Sequence, residues 1–371
     1  MTGLVRRREG ATDFWGPADV PSSGVGPRAR APVFYNPAMT ADRDVAVAFA
    51  RAVLDPAGAS RGWEVTPASG VRGLRLLRES GRFGSFLFTE AHPRAVDALT
   101  RNADGVAGAT ARAADGRKVP PEAPFDYVDV DPYGSPIPFV PAALAAVRSG
   151  GIVAVTATDM PVLGGAQPSA CRRRYGANPV RGRLGSEGGL RVLLAYLAHQ
   201  AAAAGRSVAP ELAYVRGHYV RAYVRVSDHA RASSPIGTID PASWTGPPVG
   251  DQGPYGPLWL GPLGRPDTLE ALAVPPTAGA PEETARFLER LRGEARVDAP
   301  FYYEPNEIAA RLGLASPPSL AALLDGLRAA GQPAARTHVR DEGIRSPAPR
   351  SLVDAVARAA VAQSQNARVR A

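Results

Sequence analysis

The chain has 371 residues, of which 45% are hydrophobic and 21% are charged, and its formal net charge is +8 with a pI near 10. This length allows two domains, and the composition is typical of globular proteins. No apolar run reaches the length of a membrane span and the N-terminus has no signal-peptide core, so the sequence argues against a membrane protein and predicts a cytoplasmic one. The single cysteine, Cys171, excludes an internal disulfide and a cysteine-rich zinc site, and we expect no bound metal.

Almost all basic residues are arginine, and Lys118 is the only lysine. Arginine suits bidentate phosphate contacts and stacking on bases, which is compatible with a polyanionic partner. Arginine with abundant alanine, glycine and proline is also typical of a GC-rich genome. Charge alone therefore leaves nucleic-acid binding open.

The N-terminal part, residues 1–35, has weak periodicity and predicts short strands and loops. A helix is then predicted from Thr40 or Asp42, either of which could cap it, to about Leu54. Arg43 falls in the first turn of this helix, where a cation gains nothing from the helix dipole. It either serves a ligand or lies in solvent.

Residues 60–80 predict a strand around Trp63, a turn of small residues that includes Gly70, and a helix that begins near Leu74. This is the arrangement of the first βα turn of a nucleotide-binding sheet, where glycine lets the backbone approach the ligand. The Gly-x-Gly-x-x-Gly pattern of dinucleotide binders is absent, which disfavours a dehydrogenase.

A second strand, Ser85 to Thr89, ends at Glu90, and a helix follows from Pro93. An acidic residue at the end of this strand commonly binds ribose hydroxyls, although Glu90 could instead only cap the helix. Further on, Asp115 and Gly116 precede the next strand and are by themselves typical of a turn.

The stretch from Phe125 to Phe139 alternates apolar and acidic residues and then breaks into a proline-rich turn, which predicts a strand that ends near Asp131. Because Pro132 lacks an N–H, the turn presents a carboxylate, a free carbonyl and the Tyr133 ring together. This Asp-Pro-Tyr sequence resembles the Asp/Asn-Pro-Pro-Tyr/Phe motif of enzymes that methylate amino groups of nucleobases. The alternative is an ordinary turn that ends a strand.

A helix from Ala142 and a strand from Ile152 to Thr158 continue the alternation, which predicts an α/β fold with a doubly wound parallel sheet. Next, Arg172, Arg173, Arg174 and Tyr175 form a basic cluster with an aromatic residue. The cluster suits phosphate binding and stacking on RNA, or it is a solvated loop.

The remaining chain predicts one half-buried strand from Tyr214 to Val226, an irregular region rich in proline and glycine, and a separate helical segment. In that segment, Asn306 and Ser319 are candidate helix caps. Two short helices followed by basic residues indicate a small winged-helix-like module. We therefore expect a first domain over residues 1–265 and a smaller α+β domain over residues 266–371.

Taken together, these blocks resemble the tRNA (guanine at position 26, N2) dimethyltransferases. The matching stretches, in the order of that family, are Phe34-Tyr35-Asn36-Pro37 with Met39 and Arg43-Asp44, Ser69 to Arg75, Asp129 to Pro136, Ala157-Thr158-Asp159, Glu187 with Gly189-Leu190-Arg191, Gly256 to Leu263, Pro317 to Leu320, and Arg336-Thr337-His338. They span nearly the whole chain.

The resemblance implies a Rossmann-like class I methyltransferase domain that uses S-adenosyl-L-methionine, with a C-terminal domain that binds tRNA. The family's cofactor-binding positions fall on Arg43, Gly70, Arg72, Glu90, Asp115 and Gly116. Its catalytic position falls on Asp131, with Pro132 and Tyr133 beside it. Glu64 and Glu90 depart from the usual aspartate, and the zinc-binding cysteines of some members are absent.

We expect a monomer that methylates the exocyclic N2 of guanine 26, once or twice. The alternatives are an amino-methyltransferase for another base in rRNA or DNA, and a non-catalytic protein that binds or folds tRNA.

Overall fold

The computed structural model describes residues 3–20, 33–229 and 234–370, and side chains as far as residue 365. The strands of the described part are β1 (Leu4–Glu9), β2 (Thr12–Pro17), β3 (Ser60–Glu64), β4 (Phe83–Glu90), β5 (Ala109–Ala113), β6 (Phe125–Val130), β7 (Val147–Ala157), β8 (Ser207–Arg216), β9 (Tyr219–Ser227), β10 (Ile236–Ile239), β11 (Tyr255–Trp259), β12 (Ala335–Arg336) and β13 (Ile344–Arg345). The helices are α1 (Thr40–Val53), α2 (Val71–Glu79), α3 (Pro93–Ala103), α4 (Val140–Ala146), α5 (Met160–Leu163), α6 (Pro168–Tyr175), α7 (Gly185–Ala203), α8 (Pro266–Ala271), α9 (Pro281–Ala295), α10 (Pro305–Leu312), α11 (Leu320–Ala329) and α12 (Arg350–Arg370).

A seven-stranded sheet in the order β5-β4-β3-β6-β7-β9-β8 forms the centre of the molecule. The pairs from β5 to β7 are parallel, and β9 pairs antiparallel with both of its neighbours. The order reverses between β3 and β6, so two βαβ halves diverge from that point. The predicted doubly wound α/β fold is therefore confirmed.

Both faces of the sheet are covered by helices, which explains the continuous apolar runs of the strands. On one face, Val128, Val130, Val153 and Val155 pack with α4 to α7. On the other face, residues such as Tyr127 and Ile152 pack with α1, α2, α3, α8 and α9. The alternation of neighbouring residues between the two cores fixes the register of the strands.

The C-terminal end of the sheet differs from the prediction of one half-buried strand over residues 214–226. Those residues belong to the β8–β9 hairpin, whose strands are joined by Gly217 and His218, with Gly217 at φ +53°. The prediction of a single strand was wrong because the connection between the two strands is only two residues long. Both strands are also largely buried, so little polar sequence marks the turn.

A third hydrophobic core begins at Tyr303 and joins α10, α11 and α12 with the short β12–β13 hairpin. The Ser319 hydroxyl caps α11 by accepting a hydrogen bond from the Ala322 N–H, as predicted, whereas Glu304 rather than Asn306 occupies the N-cap of α10. The domain boundary after residue 265 stays a prediction. Because helices α8 and α9 pack in a core of the central sheet, we propose a division between residues 295 and 303.

The strands predicted near the N-terminus are present as the β1–β2 hairpin, and the prediction for residues 21–32 lies outside the described residues. Within residues 3–20, 33–229 and 234–370, no helix is both long enough and apolar enough to cross a membrane. The same residues contain no group of three or more His, Cys, Asp or Glu side chains that could hold a metal ion.

A buried ion cluster joins this C-terminal core to the two cores of the central sheet. The Arg345 guanidinium on β13 lies 2.8 Å from Glu187 on α7, and it also contacts Glu294 on α9 and the Phe301 carbonyl. Burial alone would raise the pKa of Glu187, but the charges of Arg345 and Arg191 outweigh it and hold that pKa below its ordinary value. Three elements from distant parts of the sequence therefore share one buried cation.

We expect Arg345→Gln to lower the free energy of unfolding by about 3–5 kcal/mol, because it removes the cation that two buried carboxylates, Glu187 and Glu294, share. Urea unfolding would measure the loss. Arg358→Gln, on the exposed face of α12, is the control and is expected to change stability by about 0.5 kcal/mol or less. Equal losses in the two variants would contradict a role for the cluster in joining the cores.

Candidate active site

A cleft opens at the C-terminal ends of β3 and β6, where the strand order reverses. This is the position at which open α/β sheets bind ligands. The cleft is lined by Phe34, Tyr35, Asn36, Met39, Arg43, Glu64, Thr66, Pro67, Ala68, Ser69, Val71, Arg72 and Asp131.

The loop after β3 forms one wall of the cleft and leads into α2. Gly70 caps α2 with φ +74°, and a Cβ at this position would lie 2.7 Å from Leu99 Cδ1. Glycine is therefore required both by the backbone conformation and by the close packing of the loop. The N-terminus of α2, which is electropositive, is thereby directed at the cleft.

Glu64 ends β3 inside the cleft, and its carboxyl accepts the Gly73 N–H at 3.1 Å. Burial and the neighbouring charge of Asp129 raise the pKa of Glu64 well above its ordinary value. This shift favours the protonated form of the carboxyl, which can donate as well as accept a hydrogen bond.

Glu90 and Gly116, both predicted to bind the cofactor, converge on the loop after β3. The Glu90 carboxylate accepts the N–H groups of Ala68 at 3.2 Å and of His92 at 2.9 Å. A Cβ on Gly116 would lie 2.4 Å from the Val65 carbonyl oxygen. Asp115 is partly exposed beside them and pairs with Arg117 at 2.7 Å.

Arg43, which was expected to serve a ligand or to lie in solvent, is buried at the edge of the cleft. Its Nε donates to Glu9 at 2.6 Å and its Nη2 donates to the Asn36 carbonyl at 3.0 Å. Glu9 also accepts from Arg75 at 2.9 Å and from the Tyr35 hydroxyl at 2.9 Å. Burial alone would raise the pKa of Glu9, but the charge and hydrogen bonds of Arg43, with Arg75 and Tyr35, lower it to about 2.

Asp131 follows the last residue of β6 and lies in the cleft with its side chain 20% exposed. Its Oδ2 lies 2.7 Å from Nη2 of Arg72, and the same nitrogen lies 2.8 Å from Oδ2 of Asp42. Pro132 is buried, whereas Tyr133 is 84% exposed at the mouth of the turn. The structure thus brings the predicted catalytic residues Asp131, Pro132 and Tyr133 together with the cofactor positions Arg72 and Gly70.

Hydrogen bonds hold the Asp-Pro-Tyr turn against the loop after β7. The Gly134 N–H donates to Thr158 Oγ1 at 2.7 Å, and the Thr158 N–H donates to the Gly134 carbonyl at 2.9 Å. Tyr175 adds a further link, because its hydroxyl lies 2.9 Å from both Ser135 Oγ and Asp159.

The stacking role predicted for Tyr175 is therefore wrong. Its side chain is 3% exposed and packs edge-on against Tyr196, so the ring cannot receive a base. Arg172, Arg173 and Arg174 are exposed on the same helix, α6, where Arg172 donates to Asn178 at 3.0 Å. Tyr175 therefore anchors α6 to Ser135 and Asp159, and the three arginines lie on the exposed surface of this helix.

Sequence reasoning assigned no part in the site to three residues that the structure places at or beside the cleft, and it considered Asp42 only as a helix cap. Phe34 lines the cleft with 38% of its surface exposed, Thr66 lines it with a buried hydroxyl, and Asp42 supports Arg72 from behind. Within the described part of the chain, Thr66 Oγ1 and Arg72 Nη1 are buried without a hydrogen-bond partner. Buried polar atoms of this kind indicate a ligand or water that completes their bonding.

Known proteins resemble the chain along nearly its whole length. The family model described as N2,N2-dimethylguanosine tRNA methyltransferase matches residues 19–238 and 250–358. The tRNA (guanine(26)-N(2))-dimethyltransferase of Pyrobaculum aerophilum is 34% identical over 93% of this chain and 94% of its own length. That of Thermococcus kodakarensis is 33% identical, over 87% and 92%. The structure of Trm1 from Pyrococcus horikoshii in complex with S-adenosyl-L-methionine superposes with a TM-score of 0.81 and 28% identity, over 95% of this chain and 99% of that one.

The lowered pKa of Glu9 makes the stability of the cleft wall depend on pH. A carboxyl whose pKa is lower in the folded state stabilises the fold above its unfolded pKa, and this contribution is lost as the pH falls toward about 2. We therefore expect the free energy of unfolding of the wild type to fall by about 3 kcal/mol more between pH 5 and pH 2 than that of Glu9→Gln.

Unfolding titrations at several pH values would measure this difference. Asp13→Asn, on the exposed side of the same hairpin, is the control and should leave stability at pH 7 within about 0.5 kcal/mol of the wild type. Parallel pH profiles of the wild type and Glu9→Gln would contradict the assignment.

Proposed function

The chain belongs to the N2,N2-dimethylguanosine tRNA methyltransferase family, and we propose that its Asp131-Pro132-Tyr133 turn binds the target guanine of tRNA. The enzyme uses S-adenosyl-L-methionine to methylate N2 of guanine 26. The observation that carries the residue assignment is the ion pair between Arg72 and Asp131, which holds a carboxylate at the switch point of the sheet.

The described residues around the cleft fit the cofactor. The cofactor carries hydroxyl, amino and carboxylate groups, which suit the unpartnered Thr66 Oγ1 and Arg72 Nη1 and the buried carboxyl of Glu64. We assign the cofactor to Arg43, Gly70, Arg72, Glu90, Asp115 and Gly116, which surround or support the loop after β3. When bound, the cofactor supplies an electrophilic methyl group on a sulfonium.

The protein must supply orientation and electrostatics, because guanine N2 is a weak nucleophile whose lone pair is delocalised into the ring. Arg72 donates a hydrogen bond to Oδ2 of Asp131, so Oδ1 is the oxygen that accepts one hydrogen of the guanine amine. The Pro132 carbonyl accepts the other. As the new N–C bond forms, Asp131, or water through it, takes the proton.

The exposed Tyr133 ring stacks on the guanine, and the exposed face of Phe34 offers a second apolar surface inside the cleft. A base at the junction of two tRNA stems is stacked, so it has to leave the stack to reach Asp131. Arg172, Arg173 and Arg174 then contact the phosphates near the flipped nucleotide, with further contacts from the C-terminal unit.

A cytoplasmic location and a monomeric state remain predictions.

Incubation of tRNA transcripts with labelled cofactor tests the whole assignment. Label on the N2 of guanine 26, abolished when that guanine is replaced by adenine, is the expected result. Label at another nucleotide, or only on rRNA or DNA, would contradict the substrate assignment. Binding of tRNA without label would indicate a non-catalytic protein.

Asp131→Ala is expected to lower the methylation rate about 10²–10⁴-fold, because the amine loses its proton acceptor. Arg72 keeps Asp42 as its partner in this variant, so the fold and the binding of cofactor, measured by calorimetry, should persist. Asp126→Ala, at the opposite end of β6, is the control and should retain activity. Wild-type turnover by Asp131→Ala would remove this residue from the mechanism.

Replacing Arg172, Arg173 and Arg174 with glutamine, singly and together, should weaken tRNA binding while the kcat at saturating tRNA is retained. Each phosphate contact that is lost should flatten the plot of log affinity against log salt by about 0.7–0.9. Filter binding at several salt concentrations measures this slope. Arg148→Gln, at the opposite end of the sheet, removes the same charge and should leave the slope unchanged; equal effects would mean that only net charge matters.

A further inference from the structure

Asp42 lies behind the cleft, in the first turn of α1, and is fully buried. It does not line the cleft, but its carboxylate reaches the arginine that holds Asp131. Nη2 of Arg72 lies 2.8 Å from Asp42 and 2.7 Å from Asp131. The guanidinium of Arg72 therefore forms an ion pair with a buried carboxylate as well as with the carboxylate at the reaction site, and its contact with Asp131 is the one that has hydrogen-bond geometry.

The surroundings of Asp42 keep it ionised. Burial alone would raise its pKa, but the charges of Arg72 on α2 and Arg221 on β9 and the hydroxyl of Tyr214 on β8 outweigh burial and hold the pKa far below its ordinary value. Asp42 is thus a permanent negative charge that the wall of the cleft supplies to Arg72.

Arg72 needs the negative charge of Asp42 as a counterion. It lies in the first turn of α2, where the helix dipole opposes a cation, and it is 4% exposed. If Asp131 were its only counterion, the whole charge of the guanidinium would act on the carboxylate that has to accept the amine proton. Sharing Nη2 between two carboxylates leaves Asp131 fixed in place but only partly neutralised.

We propose that Asp42 is a positioning residue for methyl transfer, which acts on Asp131 through Arg72. The inference rests on the proposed function, since it requires Asp131 to bind the amine. It assigns Asp42 to the transfer step rather than to the binding of cofactor or tRNA.

Asp42→Asn tests this, because it removes the charge and keeps the size. We expect kcat to fall at least about tenfold while the KM values for tRNA and cofactor, and the cofactor Kd from calorimetry, change little. The matched control is Asp44→Asn. Asp44 is buried in the same turn and pairs with an arginine, Arg75, at 2.7 Å, but Arg75 does not reach Asp131.

Thermal unfolding of both variants identifies a temperature at which each variant is folded, and their kinetics are compared at that temperature. A lower kcat for Asp42→Asn alone supports the proposal. Equal loss of kcat in both variants, or a wild-type kcat in Asp42→Asn, overturns it. These outcomes differ from failure of the proposed function, in which the wild-type protein itself does not methylate tRNA.

The route through Arg72 has its own test. In an Arg72→Gln background, Asp42→Asn should cause no further fall in kcat, because the link to Asp131 is already lost. A second tenfold fall would mean that Asp42 acts by another route and would overturn the proposal. If Arg72→Gln has no measurable turnover, the comparison of Asp42→Asn with Asp44→Asn decides alone.

Discussion

Buried arginines have to meet carboxylates, and this requirement organises the protein. Arg75, Arg191, Arg221 and Arg345 are among its largest fully buried side chains, and each is ion-paired inside the fold. Removing one partner of such a pair leaves a buried charge without compensation. These ion pairs therefore determine which elements can pack together. The ion pairs of Arg72 with Asp42 and Asp131 are the ones that extend to the proposed reaction site.

Arginine suits this task better than lysine. Its planar guanidinium has five donors and remains charged in the interior, so one side chain can bind two or three partners at once. Arg345 does so with Glu187, Glu294 and the Phe301 carbonyl, and Arg72 does so with Asp42 and Asp131. Arginine thus has a structural use inside this protein, where lysine is nearly absent, beyond any contact with RNA.

The sequence predicted the fold, and the positions of Gly70 and Asp131 after two neighbouring strands, because those features are local. Strand and helix periodicity revealed the α/β alternation, and the turn residues around Gly70 and Asp131 marked the ends of β3 and β6. The β8–β9 hairpin and the burial of Tyr175 were missed. They depend on packing between distant segments, as does the contact of Asp42 with Arg72.

A crystal structure of the protein with S-adenosyl-L-homocysteine and a tRNA that carries guanine 26 would test the central claim most directly. We expect the guanine outside the helical stack, with its N2 within hydrogen-bond distance of Asp131 Oδ1 and of the Pro132 carbonyl, while Arg72 still holds Oδ2. A guanine whose amine faces away from Asp131, or an Asp131 turned away from the base, would contradict it.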